Sequence, residues 1–173
     1  MAETAKWIVS AGDGGRTCGT AVADWLARSQ RAPELAAREW TETGVALLPL
    51  GRRFDAARLP QALVQVAVGV TVPHETAVRV ARLLDGPVIY DDRAMGGTYY
   101  ALMRPPGFRT WEHQAVAPCL SHGTFLGVPR LDRVEPPGTY WVAPPKFAGD
   151  LCEPATVAAV VRSGSRPDEE VRP

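Results

Sequence analysis

Apolar residues in the first third of the chain recur at helical spacing and then merge into an unbroken run. Residues 20–29 are predicted to form an amphipathic helix, because three large apolar side chains lie at positions i, i+3 and i+4. These side chains are Val22, Trp25 and Leu26. Pro33 suits the first turn of a second helix, which is expected to end before Gly44. Residues 45–50 are apolar throughout, which predicts a strand in the centre of a sheet.

The middle of the chain contains one ambiguous segment and one clear helix. Residues 59–68 fit either a helix or a strand, and Pro60 suits a helix start. Residues 74–84 carry a broad apolar face at helical spacing, which predicts a helix. We expect Pro73 and Gly86 to mark its two ends, since Pro favours the first helical turn and Gly the position after the last.

The second half of the chain consists of short β-prone runs separated by loops that contain Pro or Gly. The predicted strands are residues 88–90, 98–103, 124–128 and 139–143. Residues 154–162 are predicted to form a closing helix. Helices followed by a strand-rich half predict an α+β domain, with flanking helices and a mixed or antiparallel sheet.

The length of 173 residues fits one domain with a sizeable core. Residues 1–16 are interpreted as an N-terminal extension and residues 17–162 as the single folded domain. Residues 163–173 are polar, charged and contain Pro, so we expect a disordered tail.

The charge balance argues against several classes of partner. The chain has 19 basic and 19 acidic residues and a formal net charge of zero, so no overall field attracts nucleic acid or a membrane surface. Weak binding to duplex DNA is therefore expected, since counterion release supplies most non-specific affinity. No apolar stretch reaches the roughly 18–20 residues of a membrane span, and the N-terminus does not have the pattern of a secretion signal.

The composition also bears on the source and the compartment. Three widely spaced cysteines are odd in number, which favours free thiols in a reducing cytoplasm over a disulfide framework. Arginine greatly outnumbers lysine, and only Lys6 and Lys146 represent the latter. Together with the abundance of Ala, Val and Pro, this is typical of high-GC coding, so an actinobacterial source is expected.

Two turn-and-strand motifs and one upstream segment carry a family resemblance. Residues 96–102 read Gly-Gly-Thr-Tyr-Tyr-Ala-Leu, and residues 138–145 read Gly-Thr-Tyr-Trp-Val-Ala-Pro-Pro. With residues 40–51, these motifs resemble the primase-polymerase domain of bifunctional replication proteins from plasmids, phages and actinobacteria. The resemblance implies an α+β fold of the primase-polymerase type with an RRM-like core. Tyr99 stands where that family has a nucleotide-contacting histidine, and Lys146 stands where it has a serine.

The resemblance also implies acidic positions that this chain lacks. The family's Asp-x-Asp strand lies before the Gly-Gly motif, but residues 59–74 contain neither Asp nor Glu. The pair Asp91 and Asp92 falls past that position. The family's third acid would fall near residues 125–128, which contain no acidic residue. Nucleotide polymerisation needs two divalent cations held by several carboxylates, so the resemblance implies the fold with a degenerate active site.

Three functional hypotheses follow. The leading one is a catalytically inactive primase-polymerase-like binding or regulatory module in the cytoplasm, with no cofactor. The second is a metal-dependent nucleotidyltransferase, a DNA primase/polymerase whose Mg²⁺ ligands are rearranged and drawn from Asp85, Asp91 and Asp92. The third is a protein–protein adaptor for a DNA-binding regulator, docking through the Pro-rich loops at residues 104–106 and 135–137. The sequence leaves the oligomeric state open.

Two sets of side chains are candidates for binding. Six residues near the strands of the second half could contact single-stranded nucleic acid or a partner protein, because arginines interleaved with aromatic residues pair with phosphates and stack on bases. They are Tyr99, Arg104, Arg109, Arg130, Arg133 and Lys146. The candidates for a metal site are Asp91, Asp92, Cys119 and His122. The alternatives are ordinary ones: strand aromatics that pack in the core, solvated arginines, and Asp residues that form a turn.

Overall fold

The computed structural model describes residues 18–93, 96–105 and 107–166. These ranges contain six helices and seven strands. The helices are α1 (Cys18–Ala27), α2 (Pro33–Thr43), α3 (Gln61–Val68), α4 (Pro73–Leu84), α5 (Gly107–Thr110) and α6 (Pro154–Gly164). The strands are β1 (Val45–Pro49), β2 (Asp55–Pro60), β3 (Val88–Asp91), β4 (Thr98–Met103), β5 (Cys119–Leu120), β6 (Phe125–Pro129) and β7 (Thr139–Ala143).

The strands form two separate antiparallel sheets. A five-stranded sheet has the order β5-β2-β4-β3-β7, and β1 pairs with β6 in a two-stranded ribbon. The α+β class predicted from the sequence is confirmed. The prediction that residues 45–50 form a central strand is wrong, because β1 belongs to the ribbon and β4 is the central strand of the larger sheet. An unbroken apolar run indicated burial on both sides, but alternate residues of β1 reach solvent.

Both faces of the five-stranded sheet are covered. The face we call the helical face carries Leu59, Tyr99 and Met103 and packs against α3, α4 and α6. The opposite face, called the ribbon face, carries Ile89 and Trp141 and packs against α1, α2 and the β1–β6 ribbon. Side chains alternate between the two faces along each strand, so each strand contributes to two apolar cores.

Two indole groups join the ribbon to the rest of the fold. Trp141 of β7 is fully buried, and its Nε1 donates to the carbonyl oxygen of Pro129 on β6 at 2.9 Å. Trp40 of α2 donates in the same way to Val128 at 2.9 Å. Each bond satisfies a buried indole N–H that burial would otherwise leave without a partner.

The helix ends agree with the sequence prediction at one position and differ at another. Gly44 ends α2 in the left-handed conformation at φ 77°, as its position predicts. The helix α4 ends at Asp85 with φ 45°, so Gly86 is not its cap. Asp tolerates this conformation because its short side chain can hydrogen-bond locally. Gly86 serves close packing instead, since a Cβ there would lie 2.7 Å from Cys152 Sγ.

Other boundaries also differ from the sequence prediction. The ambiguous segment 59–68 is the end of β2 followed by α3, and Pro60 lies at the junction. The strand β5 and the start of β2 were not predicted. The closing helix continues to Gly164, so residues 163–164 belong to the fold and not to the tail. The proposed extension at residues 1–16 and the rest of the proposed tail at residues 167–173 lie outside the described residues.

Replacing Trp141 with Ala is expected to lower the free energy of unfolding by about 3–5 kcal/mol. The substitution empties a fully buried volume and leaves the Pro129 carbonyl without its indole donor. Thermal and urea melts measure the loss. Phe147→Ala is the control, because Phe147 is exposed and its truncation should change stability by less than about 0.5 kcal/mol. Equal effects of the two substitutions would contradict a core role for Trp141.

Replacing Gly164 with Ala is expected to destabilise the fold by about 1–3 kcal/mol, even though Ala is the better helix former. A Cβ at Gly164 would overlap the carbonyl oxygen of Leu63 on α3 and lie 2.8 Å from Leu63 Cγ. Gly19→Ala in α1 is the matched control. Among the described residues, no atom outside the adjacent residues and the helix's own backbone lies within 4 Å of that Cβ position, so this change should be neutral or stabilising by up to about 1 kcal/mol. Melts that show both variants stabilised would disprove the α3–α6 contact.

Candidate functional site

Tyr99, which stands at the histidine position of the resembled motif, is part of the core. It lies on the helical face of β4, opposite Leu59 on β2 and Tyr90 on β3. Only 2% of its surface is exposed, and its ring centroid lies 4.7 Å from that of Tyr90. Burial is the main cause that raises the pKa of its hydroxyl above the usual range. A ligand in solution therefore has no access to this side chain.

The Gly-Gly turn of the same motif is explained by the tyrosines beside it. Tyr90 Oη donates to Gln61 Oε1 at the start of α3, and the Tyr90 and Tyr140 rings lie 5.6 Å apart. Gly97 has φ 74°, and a Cβ there would overlap Tyr90 Oη and lie 2.6 Å from Gln61 Oε1. The packing of Tyr90 and Gln61 is therefore sufficient to explain the glycine at position 97, and no bound nucleotide is needed to explain it.

Asp91 and Asp92, at the end of β3, each stabilise a turn through hydrogen bonds. Asp91 accepts hydrogen bonds from Arg93 N, Nε and Nη2 at 2.9–3.0 Å. The hydrogen bond with the Arg93 side chain is the main cause that lowers the pKa of Asp91. Asp92 Oδ1 accepts from the backbone N–H of Gly138 at 2.9 Å, which fixes the start of β7. The carboxylates of Asp91 and Asp92 therefore already accept hydrogen bonds from other groups of the protein.

One buried acid was missed by the sequence analysis. Asp55 at the start of β2 is fully buried; its Oδ1 accepts from Ser121 Oγ at 2.7 Å, and its Oδ2 has no hydrogen-bond partner in the described part of the chain. Asp55 pairs with Met103, whereas Tyr99 lies four residues earlier on β4. That separation is about 13 Å along the strand, so Asp55 and Tyr99 do not share a site. The available signal in the sequence was an acidic residue among apolar neighbours, with Phe54 before it and two alanines after it.

The remaining metal candidates point to different surroundings. Cys119 on β5 is buried in the helical-face core, and burial is the main cause that raises the pKa of its thiol to about 12. His122 is exposed and packs over Gly51, whose Cβ would lie 2.6 Å from the imidazole Cγ. Within the described ranges, no three His, Cys, Asp or Glu side chains are grouped so that they could hold a metal ion.

The candidate cationic residues follow different elements of the fold. Arg130 directly follows β6 and pairs with Asp132 at 2.5 Å, whereas Lys146 follows β7 and pairs with Asp85 at 2.5 Å. Arg104 is 3.8 Å from Glu153, and the guanidinium of Arg109 lies 6.0 Å from the centroid of its neighbour, the Phe108 ring. The described carboxylates thus offset most of these cations, and the residues do not form one basic surface.

Arg133 occupies a slot between two backbone segments. Its guanidinium lies 3.0 and 3.2 Å from the Cβ positions of Gly44 and Gly138, and Nη2 donates to the carbonyl of Pro137 at 3.1 Å. Both glycines have positive φ values, 77° and 85°. Any side chain at either glycine would press on the arginine. Arg133 therefore links the end of α2 to the start of β7, a role the sequence analysis did not foresee.

Two concave regions lie on the ribbon side of the molecule. A cleft of about 740 Å³ is bordered by Ala23, Trp40 and Leu131, with Arg130 and Asp132 at its rim. A groove of about 640 Å³ has an apolar floor and is formed by α2, the ribbon and the loop before α2. Its apolar residues are Ala32, Leu35, Leu47, Pro49 and Phe125. Neither region includes Tyr99 or the acidic pair of β3.

Comparisons with models of known protein families, with curated proteins and with solved structures gave no match. The helices within the described ranges are all too short or too polar to cross a membrane. The function must therefore be argued from the geometry of this chain and from the motif resemblance.

The thiols of Cys119 and Cys152 are expected to resist modification in the folded protein. Burial is the main cause that raises both pKa values from the usual 9.0 to about 12, so the thiolate fraction at pH 8 falls to about 10⁻⁴. In a Cys18→Ser variant, a chromogenic disulfide reagent should titrate no thiol in the native state and two in guanidinium chloride. Rapid labelling of the folded protein would show that at least one of these two thiols is accessible to a reagent.

The same burial predicts a pH dependence of stability. Because the folded-state pKa values lie above the unfolded ones, the stabilising contribution is complete below pH 9 and is lost as pH rises toward 12. Urea melts should show Cys152→Ala to be less sensitive to pH over that window than the parent chain.

Proposed function

We propose that this chain is a catalytically inactive, primase-polymerase-like module that acts by binding or regulation. The main support is the position of Tyr99, which stands where the resembled family contacts a nucleotide but is 2% exposed. A residue enclosed by the sheet and α3 contributes to stability and has no route to a ligand. Residues 96–102 resemble the turn and the strand of that family. At the histidine position, however, this chain has a tyrosine that packs in the core.

The distribution of carboxylates supports the same proposal. Two-metal phosphoryl transfer requires several carboxylates converging on cations about 3.5–4 Å apart. Asp85 precedes β3, Asp91 ends it, and Asp55 begins a strand on the far side of β4. Asp85 and Asp91 are each paired with a cation. The alternative of a nucleotidyltransferase with rearranged ligands receives no support from this geometry.

The covered sheet argues for a protein partner over nucleic acid. RRM-type domains stack bases on aromatic residues of an open sheet face. Here α3, α4 and α6 cover one face of the sheet, and α1, α2 and the ribbon cover the other. Three of the five candidate cations, Arg104, Arg130 and Lys146, are paired with acids in the described part of the chain. Exposed apolar side chains on the ribbon instead favour docking to another protein such as a DNA-binding regulator. This surface differs from the Pro-rich loops at residues 104–106 and 135–137 through which the adaptor hypothesis expected docking.

The proposed inactivity predicts no nucleotide incorporation. The purified chain should neither extend a primed DNA template nor synthesise dinucleotides with Mg²⁺ or Mn²⁺, while an active primase-polymerase domain does so under identical conditions. Deoxynucleotides with Mg²⁺ should leave the melting temperature unchanged, since a ligand at 100 times its Kd would stabilise the fold by about 2.7 kcal/mol.

The matched control is an Asp91→Asn/Asp92→Asn double variant, which removes the acidic pair nearest the signature strands. Activity that is present in the parent chain and absent from this variant would establish the nucleotidyltransferase hypothesis. Activity that is equal in both preparations identifies a contaminating polymerase.

A further inference from the structure

The ribbon is apolar on its outer side as well as its inner side. Ala46, Leu48 and Leu126 point inward and are buried. Their strand neighbours Leu47 and Phe125 point outward, where they are 56% and 62% exposed. An antiparallel sheet with one solvated face normally alternates apolar and polar residues. Two large apolar side chains at these positions are therefore unexplained by the fold itself and indicate a surface that is covered in use.

These outward residues belong to the groove of about 640 Å³ described above. Leu35 of α2 forms one wall, and Phe125 lies beside Pro49 across the ribbon. The groove is thus formed by a helix, a ribbon and a loop, so its shape is set by packed elements. Grooves of this kind accept short segments that insert two or three apolar anchors.

The partner cannot extend the ribbon by pairing with β1 along its backbone. The outward backbone N–H of Leu47 donates to Glu39 Oε2 at 2.9 Å. The carbonyl oxygen of Leu47 accepts from Gln30 Nε2 at 2.8 Å. These bonds occupy the groups that strand addition would need. Docking therefore depends on side chains that enter the groove.

The charges at the rim define the partner further. Arg31 and Arg52 are exposed and line the groove, and neither is paired with a carboxylate in the described part of the chain. Glu39, the acid among the lining residues, is engaged by the Leu47 N–H. A second copy in a two-fold contact would bring this basic rim against itself. An acidic partner instead supplies the missing counter-charges.

We propose that this groove binds a segment of another protein in which Leu, Phe or Met anchors are flanked by Asp and Glu. The anchors cover Leu47 and Phe125, and the acidic flanks pair with Arg31 and Arg52. The inference rests on the proposed function in one respect, namely that the module acts by binding. It adds the surface and the chemistry of the partner.

The test begins with an unbiased choice of ligand. The whole 173-residue chain is immobilised and used to select from a phage library of random peptides of about 15 residues, enough for roughly four helical turns. We expect enrichment of peptides that combine acidic residues with Leu, Phe or Met. A dominant peptide is then synthesised and its affinity measured by fluorescence anisotropy.

Two pairs of variants locate the site of binding. Phe125→Ser should weaken the selected peptide about tenfold or more, whereas Phe147→Ser alters an equally exposed phenylalanine (57%) outside the groove and should have no effect. The double variant Arg31→Glu/Arg52→Glu should weaken binding similarly and reduce its salt dependence. Arg38→Glu, an exposed change on α2 outside the groove, is its control. All four variants are first checked by thermal melting.

Several results would overturn the proposal. These are a selection without enrichment, enrichment of basic peptides, and binding that Phe125→Ser leaves intact. Self-association in sedimentation velocity that Phe125→Ser abolishes would assign the groove to a second copy instead. Nucleotide incorporation by the parent chain would refute the proposed inactivity but would leave these binding results unchanged, so the two failures are distinguishable.

Discussion

The contact between Trp141 and the β1–β6 ribbon is the interaction on which the rest of the structure depends. The five-stranded sheet is apolar on both faces, so it is stable only if both faces are covered. Helices α3, α4 and α6 cover one face, whereas α1, α2 and the β1–β6 ribbon cover the other. A two-stranded ribbon has little stability by itself. The buried indole fills the space between the layers and hydrogen-bonds to Pro129. The indole therefore holds the ribbon in a defined position against the five-stranded sheet.

This double coverage determines which surfaces are left for function. The side chains that a single-layer sheet would offer to a ligand are enclosed here, and the polar groups at the sheet ends are used in turns. Asp92 positions Gly138, and Arg133 is held between Gly44 and Gly138. Residues whose types are typical of catalysis or phosphate binding thus serve to connect elements. On the outer side of the ribbon, the exposed side chains of Leu47 and Phe125 remain accessible.

The sequence predicted the parts of this fold whose signals are local. Amphipathic spacing located α1 and α4, and turn residues located β4 and β7. The split into two sheets was not predictable, because the apolar run of β1 looks the same whether its outer side meets a sheet or a groove. The position of the Arg133 guanidinium was not predictable either, because it depends on Gly44 and Gly138, which are far apart in sequence. Asp55 was missed because its burial follows from pairing with Met103, a long-range contact.

The two side-chain bonds to Leu47 have a consequence for solubility. A short strand with large apolar residues on both sides would, with an open edge, be a template for intermolecular β-pairing and fibril growth. Glu39 and Gln30 close that edge without covering the side chains of the strand. β1 can therefore keep Leu47 exposed as an apolar side chain while the backbone groups of this residue are not available for intermolecular pairing.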